Sequence, residues 1–294
     1  MFRKILIAVD LSEASDAIIN CLADFKTLGV EEVILFYACG IRHMDTLAET
    51  IKQSAEPYLI EKQIKLQAQG FKTSIEIAPG IPSEELKNVA EQKDVSLIVI
   101  GSHGESAASH LLFRFGGVTS EVLHSHEKPL LMVRTSVEEK EGIRKVKSLC
   151  QNLKDRILFA TDFSDISMRA FLYVEKLVED GCKKVTLLHV QDKVKLEKYL
   201  SDKLEEFNAI DTERLEMFKK QLISKGADEV EIKILYGIPA KEIVDESKSK
   251  NGYSLIIMGS QGRGFFHEIF IGSVSHNVAR NADVSLLLIP SENR

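Results

Sequence analysis

The sequence predicts an α/β protein built as two tandem doubly wound domains, each a five-stranded, mostly parallel sheet flanked by helices. Three observations carry the prediction. The chain is 294 residues long, about twice a common domain length. It repeats itself, and within each copy short apolar runs alternate with stretches of helical spacing. RKILIAVDLSEASDAII at 3–19 matches DRILFATDFSDISMRAF at 155–171, and GIPSEEL at 80–86 matches GIPAKEI at 237–243. SLIVIGSHG at 96–104 matches SLIIMGSQG at 254–262, and GGVTSEVLHSHEKPLLMVR at 116–134 matches GSVSHNVARNADVSLLLIP at 272–290. Four matches in the same order define a first domain over 1–135, a charged linker over 136–154 and a second domain over 155–294.

In the second copy RILFAT reads as a short buried strand. SDISMRAFLYVEKLVEDG then has helical spacing, with Ser164 or Asp165 as cap and Gly181 as stop. VTLLHV is the next strand, and a long charged helix runs from about Val194 to Lys225 and ends at Gly226. VEIKILYG alternates as a strand, and Pro239 opens a short helix, PAKEIVDESKSKN. SLIIMG, the helix SVSHNVARNA and the strand SLLLIP complete a β-α-β-α-β-α-β-α-β order. Near-continuous Val, Ile and Leu runs mark strands buried on both faces, as in a parallel sheet with helices on each side. The linker is dense in charge and reads as a solvated, partly helical connector.

Composition narrows the function classes. Apolar residues make up 44% and charged residues 28%, the balance of a soluble globular chain. Every apolar run is too short to cross a bilayer and MFRKILIAVD does not read as a signal peptide, so a cytoplasmic protein without a membrane partner is expected. A formal net charge of -6 argues against a nucleic-acid surface, which needs clustered Lys and Arg. Cys21, Cys39, Cys150 and Cys182 form no CxxC pair and read as reduced thiols.

Doubly wound sheets bind ligands beyond the carboxyl ends of their strands, where the strand order reverses. Asp162, Val190, Gly237 and the glycine-rich stretch GSQGRGFFHEIFIGS at 259–273 fall at those ends. Glycines let backbone amides approach a ligand closely, and Ser273 opens a helix whose N-terminus suits an anion. The combination points to phosphate. GxxxxGK[ST] is absent, and GRGFFH at 262–267 lacks the third glycine of GxGxxG, so neither familiar phosphate fingerprint applies.

Gly259, Gly262, nine residues, then Gly272 and Ser273 meet a GxxG-x9-G-[ST] pattern that resembles the nucleotide loop of the universal stress protein family. Asp162, LLHV at 187–190, GIPA at 237–240 and the GSVSHNVAR helix resemble the same family, over nearly the whole chain. The resemblance implies a tandem member with the adenine nucleotide alpha hydrolase-like fold, and a stress-response regulatory protein that binds ATP or AMP. It implies an adenosine end made by Thr161, Asp162 and Val190. The phosphate end would be Gly259, Gly262, Gly272, Ser273, Val274 and Ser275, with Arg263 adding charge. Mg²⁺ or Mn²⁺ would bridge the phosphates without a dedicated protein cage, so no metal-ligating residues are assigned. It further implies that the two domains pair through their last strands as a pseudo-dimer, and that whole chains form homodimers.

The first copy departs from the pattern. Gly101 and Gly104 stand, but eleven residues separate Gly104 from Gly116, Gly117 replaces the hydroxyl residue, and Ala38 stands where the second copy has Val190. Nucleotide is therefore expected mainly in the second domain. A weaker second site would draw on Val9, Asp10, Ala38, Gly101, Gly104, Gly116 and Gly117, with Thr119 as a remaining hydroxyl.

His124 and His126 read as helix-end residues rather than metal ligands, and His103 as a loop residue, since Gln261 replaces it. Ser12 and Ser164 read as caps rather than nucleophiles, and Asp10 and Asp162 as hydrogen-bonding groups rather than bases; no catalytic residue is assigned. LLFRF at 111–115 and FFHEIF at 265–270 read as core-facing or as loops folding over a ligand. The competing functions are slow ATP hydrolysis or autophosphorylation, and a non-binding assembly scaffold.

Overall fold

The computed structural model describes residues 1–40, 45–102, 117–140, 143–148, 152–194, 204–262 and 271–291. The chain divides into two compact units, Met1–Gln151 and Asn152–Arg294. Each carries the same sheet.

In the first unit the strands are β1 (Lys4–Ala8), β2 (Glu32–Ala38), β3 (Lys72–Ala78), β4 (Leu97–Gly101) and β5 (Leu130–Val133). They lie in the order β5-β4-β1-β2-β3, and every neighbouring pair is parallel. The connecting helices are α1 (Glu13–Asn20), α2 (Asp45–Ala68), α3 (Pro82–Gln92) and α4 (Gly117–Ser125), and a short 3₁₀ helix, Leu22–Leu28, follows α1. After β5 the chain forms an antiparallel hairpin of β6 (Thr135–Lys140) and β7 (Ile143–Ser148). The linker was expected to be partly helical. The β-branched residues Thr135, Val137, Ile143 and Val146, with Val137 in register with Val146, are the strand signal that its charge density obscured.

The second unit repeats the plan with β8 (Ile157–Thr161), α5 (Asp165–Glu179), β9 (Lys184–Asp192), α6 (Leu204–Ser224), β10 (Glu229–Gly237), α7 (Pro239–Glu246), β11 (Leu255–Gly259), α8 (Ser273–Asn281) and β12 (Ser285–Ile289). The order is β12-β11-β8-β9-β10, again all parallel. From β8 the chain winds outward through β9 and β10, then returns to β11 on the other side of β8. The reversal therefore falls between β8 and β11, and it leaves a crevice there.

Local chemistry explains the boundaries. Ser164 caps α5, its hydroxyl accepting from the Ser167 amide, and Ser12 caps α1 through Ser15 in the same way. Both α3 and α7 begin at a proline, where the missing N–H costs nothing. Most strands of the two sheets are runs of buried Val, Ile, Leu and Phe, whereas β3 and β10 are largely half-buried and carry Lys and Glu as well. In the second unit the space between sheet, α5 and α6 is filled by aromatic rings. Phe171 stacks on Phe218 with centroids 4.2 Å apart, and Phe159 lies 5.5 Å from Phe171.

The residue after the first strand's aspartate has positive φ in both units, +62° at Leu11 and +59° at Phe163. A bulky side chain adopts that conformation at a cost of order 1 kcal/mol. The turn is held by the aspartate itself, because Asp10 Oδ1 and Asp162 Oδ1 each accept from the amide and hydroxyl of the serine two residues on.

Cys21, where α1 gives way to the 3₁₀ helix, is disulfide-bonded, which corrects the expectation that all four thiols are reduced. Cys39 and Cys182 are thiols outside any disulfide, and burial pushes the Cys182 thiol up to about 11. Cys150 lies outside the described residues.

Candidate functional site

The second unit has a cavity of about 600 Å³ at the carboxyl ends of β8, β9 and β11, spanning the crevice left by the strand reversal. That size is typical of a small-molecule site. Thr161, Asp162, Val190, Gly259, Gly262, Gly272, Ser273, Val274 and Ser275 all line it. Arg263 lies outside the described residues.

Asp162 stands at the end of β8. Oδ1 is committed to Ser164, at 3.1 Å from its amide and 2.6 Å from its hydroxyl. Oδ2 lies against Gly262, where a Cβ would come within 2.8 Å of it. Gly262 is thus required by the close approach of the loop to the carboxylate. Gly259 is required too, since a Cβ there would meet Ile166 Cγ2 at 2.9 Å. Opposite Asp162, the Gly272 amide donates to the Ser260 carbonyl at 2.7 Å and brings the start of α8 to the end of β11. Gly272 caps α8 without a side-chain bond, so first-turn amides of that helix are offered to the cavity rather than to a cap.

Three hydroxyls differ in their duties. The Ser275 hydroxyl donates to the Gly259 carbonyl at 2.9 Å and is buried, which ties α8 to β11. Ser273 is exposed on the first turn. Thr161 shares a 2.6 Å hydrogen bond with Ser167 and accepts from the Phe163 amide, so its side chain supports the turn.

Among the cavity residues not singled out from the sequence are His189, Gln191, Asp211 and Arg214. The Thr161 carbonyl, an acceptor only, lies 2.8 Å from His189 Nδ1, so that nitrogen carries a proton. Nε2 faces Asp211 Oδ2 at 3.4 Å. Gln191 donates to the same oxygen at 3.3 Å, and Arg214 Nη1 stands 3.7 Å from Oδ1. Asp211 and Arg214 sit in a helix whose dense charge reads as a solvated face. The repeat adds only a contrast: counting back from Gly226 and Gly70, their counterparts in the first copy are Ala55 and Tyr58.

In the first unit Ser15 also donates to Asp10 Oδ1, at 2.6 Å. Thr119 donates to the Gly101 carbonyl at 3.1 Å, the bond Ser275 makes in the second unit. Thr119 is therefore a structural tie. Val9 is buried, while Ala38 and Gly101 are partly exposed at their strand ends. Gly117 is exposed, and a Cβ there would meet nothing within 4 Å. Gly104, Gly116 and His103, like LLFRF and FFHEIF, lie outside the described residues. Tyr58 and Lys62 of α2 turn to Asp16 on α1, at 2.6 and 2.9 Å, where the second unit has its aromatic packing.

His126 follows α4 as a helix-end residue and interacts through Nδ1 with the Leu123 carbonyl at 3.0 Å, but as a neutral ring. It is buried, and Nε2 has no hydrogen-bond partner among the described residues. Burial lowers its pKa to about 4, only partly opposed by the backbone bonds. The unfolded chain then binds the proton more readily than the folded one. Stability contributed by the neutral ring is fully present above about pH 6.5 and is lost as pH falls towards 4, by of order 3 kcal/mol. Urea midpoints between pH 7 and pH 4 should show this loss in the unmodified chain and a shallower one in His126→Gln; equal slopes would contradict it.

Among the described residues no group of three or more His, Cys, Asp or Glu side chains could hold a metal ion, and no helix is long and apolar enough to cross a membrane.

Comparison with known proteins agrees with this architecture. The model of the Universal stress protein family matches residues 1–134 and again 154–290. The chain is 30% identical over 157 residues to universal stress protein MJ0577 of Methanocaldococcus jannaschii, a match covering 46% of this chain and 96% of that protein. It is 28% identical over 149 residues to universal stress protein YxiE of Bacillus subtilis, covering 46% of this chain and 98% of that one. The crystal structure of a universal stress protein from Archaeoglobus fulgidus matches with a TM-score of 0.74 and 27% identity, covering 99% of both chains.

Proposed function

The chain belongs to the universal stress protein family as a tandem two-domain member, and from that premise we propose that it is a regulatory protein that binds an adenine nucleotide, ATP or AMP, mainly in its second domain. One observation supports this reading above the others. Across a single cavity, the Asp162 turn at the end of β8 faces the uncapped N-terminus of α8, so a group with hydroxyl or amine donors at one end and phosphates at the other is matched at both. Val190 and the Asp162 turn take the adenosine end. Gly259, Gly262 and Gly272 let the chain come close to the phosphates, which the Gly262 turn, the Ser273 hydroxyl and the first-turn amides of α8 take, the Gly272 amide itself being held by Ser260. Ser275 contributes by holding α8 against β11 rather than through its hydroxyl. The donor set fits a nucleotide; Mg²⁺ or Mn²⁺ carried in with it would be held chiefly by phosphate oxygens, with Asp162 a carboxylate of the same cavity. Intramolecular pairing of the two domains, association of whole chains and a cytoplasmic location belong to the same reading.

Isothermal titration of the full chain with ATP and AMP tests it. We expect saturation near one nucleotide per chain. Two equal sites would overturn the assignment to the second domain, and no binding of either nucleotide would overturn the reading altogether.

A further inference from the structure

We propose that the wall of this cavity contributed by α6 is a base-reading subsite, in which Arg214 is the stacking surface and Asp211 the acceptor for the amine edge of the base. The proposal rests on the nucleotide reading above and assigns the part of the ligand that the phosphate-side residues leave undetermined.

The sheet sets the spacing. β11, with the glycine-rich turn, and β9, with Val190 and Gln191, lie on either side of β8, so at ordinary strand separation the two walls stand about 10 Å apart. A nucleotide whose phosphates rest on α8 carries its base to β9 and α6.

The wall there has the shape and chemistry for a base. The Arg214 guanidinium sits 5.2 Å from the centre of the Phe163 ring, and Arg214 lines the cavity with its side chain 45% exposed. A planar cation backed by an aromatic ring presents a flat face, and such faces stack on bases.

Asp211 supplies the second observation. It is 8% exposed, and among the described residues none of its contacts is shorter than the 3.3 Å to Gln191. Ordinary hydrogen bonds are shorter, and a buried carboxylate held by long contacts keeps acceptor capacity for a closer donor. A carboxylate only accepts, so what it selects is a donor. The exocyclic amine of adenine is one; the carbonyl oxygen at the same position of hypoxanthine is not. In the first unit Ala55 and Tyr58 replace the pair, and the Tyr58 hydroxyl is spent on Asp16.

The test is calorimetric titration of the full chain with ATP and ITP, which differ at that position of the base. The unmodified protein should prefer ATP by about tenfold or more, the discrimination expected of one hydrogen bond to a charged group. Asp211→Asn, which adds a donor, should abolish or invert the preference. Arg214→Tyr, which installs the first unit's residue, should weaken both nucleotides about tenfold while leaving their ratio largely intact. Melting curves check folding, and the half-exposed position of Arg214 keeps one variant usable if Asp211→Asn proves unstable. ATP binding in the unmodified chain with affinities and ratios unchanged within about twofold in the variants would overturn the base-reading wall while leaving the nucleotide site standing. No binding of ATP or ITP by the unmodified chain would overturn both.

Discussion

Gly262→Val should reduce ATP affinity by about two orders of magnitude, roughly 2.7 kcal/mol, while lowering the melting temperature only slightly. The expected effect is large because of what surrounds the position. A Cβ alone would come within 2.8 Å of Asp162 Oδ2, and valine adds two methyl groups. The carboxylate is not free to swing away, since Oδ1 accepts from both the amide and the hydroxyl of Ser164. Relief must come either from the loop moving off the crevice or from the aspartate leaving its turn. Each route separates the two halves of the proposed site. Calorimetry with ATP on the variant and the unmodified chain checks this, and affinities within threefold of each other would show that the turn and the loop need not meet.

The second large effect is on stability. Phe159→Ala should cost about 3–5 kcal/mol, at the high end for a single substitution. Phe159 is completely buried in the middle of β8, with its ring 5.5 Å from Phe171 and 6.4 Å from Phe218. It joins the sheet to both α5 and α6. Removing it opens a cavity among rings that are themselves wedged between helices and sheet, so collapse into the space is limited. Urea unfolding followed by circular dichroism should show a transition at markedly lower denaturant. A loss under 1 kcal/mol would mean that α5 and α6 repack, and the aromatic cluster would then not be what fixes their position.

Both effects depend on arrangements that differ in how far they can be read from the chain. The β-α alternation was legible because buried parallel strands leave uninterrupted apolar runs, such as ILFAT and LIIMG, between helical stretches. Asp162, Val190 and the glycine positions were legible because they fall at strand ends, where a doubly wound sheet opens. The hairpin at 135–148 was not, because a few β-branched residues are a weak strand signal when charge surrounds them. Asp211 and Arg214 were hidden for a different reason. A charged residue on a long helix is usually solvated, and only the three-dimensional placement of α6 beside β9 turns these two towards the cavity. The duties of Ser275 and Thr119 were equally out of reach, since a hydroxyl's partner is decided by where the next strand ends.

The left-handed turn after the first strand has an evolutionary corollary. Leu11 and Phe163 both endure an unfavourable backbone conformation, and neither is the glycine or asparagine that would relieve it. In the first unit the glycine loop has changed its spacing and lost its hydroxyl residue, yet the turn persists, with Asp10 accepting from Ser12 and Ser15. Its aspartate fastens the chain itself, starting α1 and closing the strand end, as Asp162 does in the second unit. After a duplication, such a fastener is retained by selection for folding even when selection for a ligand relaxes, so one copy can keep the outline of a site while being free to diverge at everything around it.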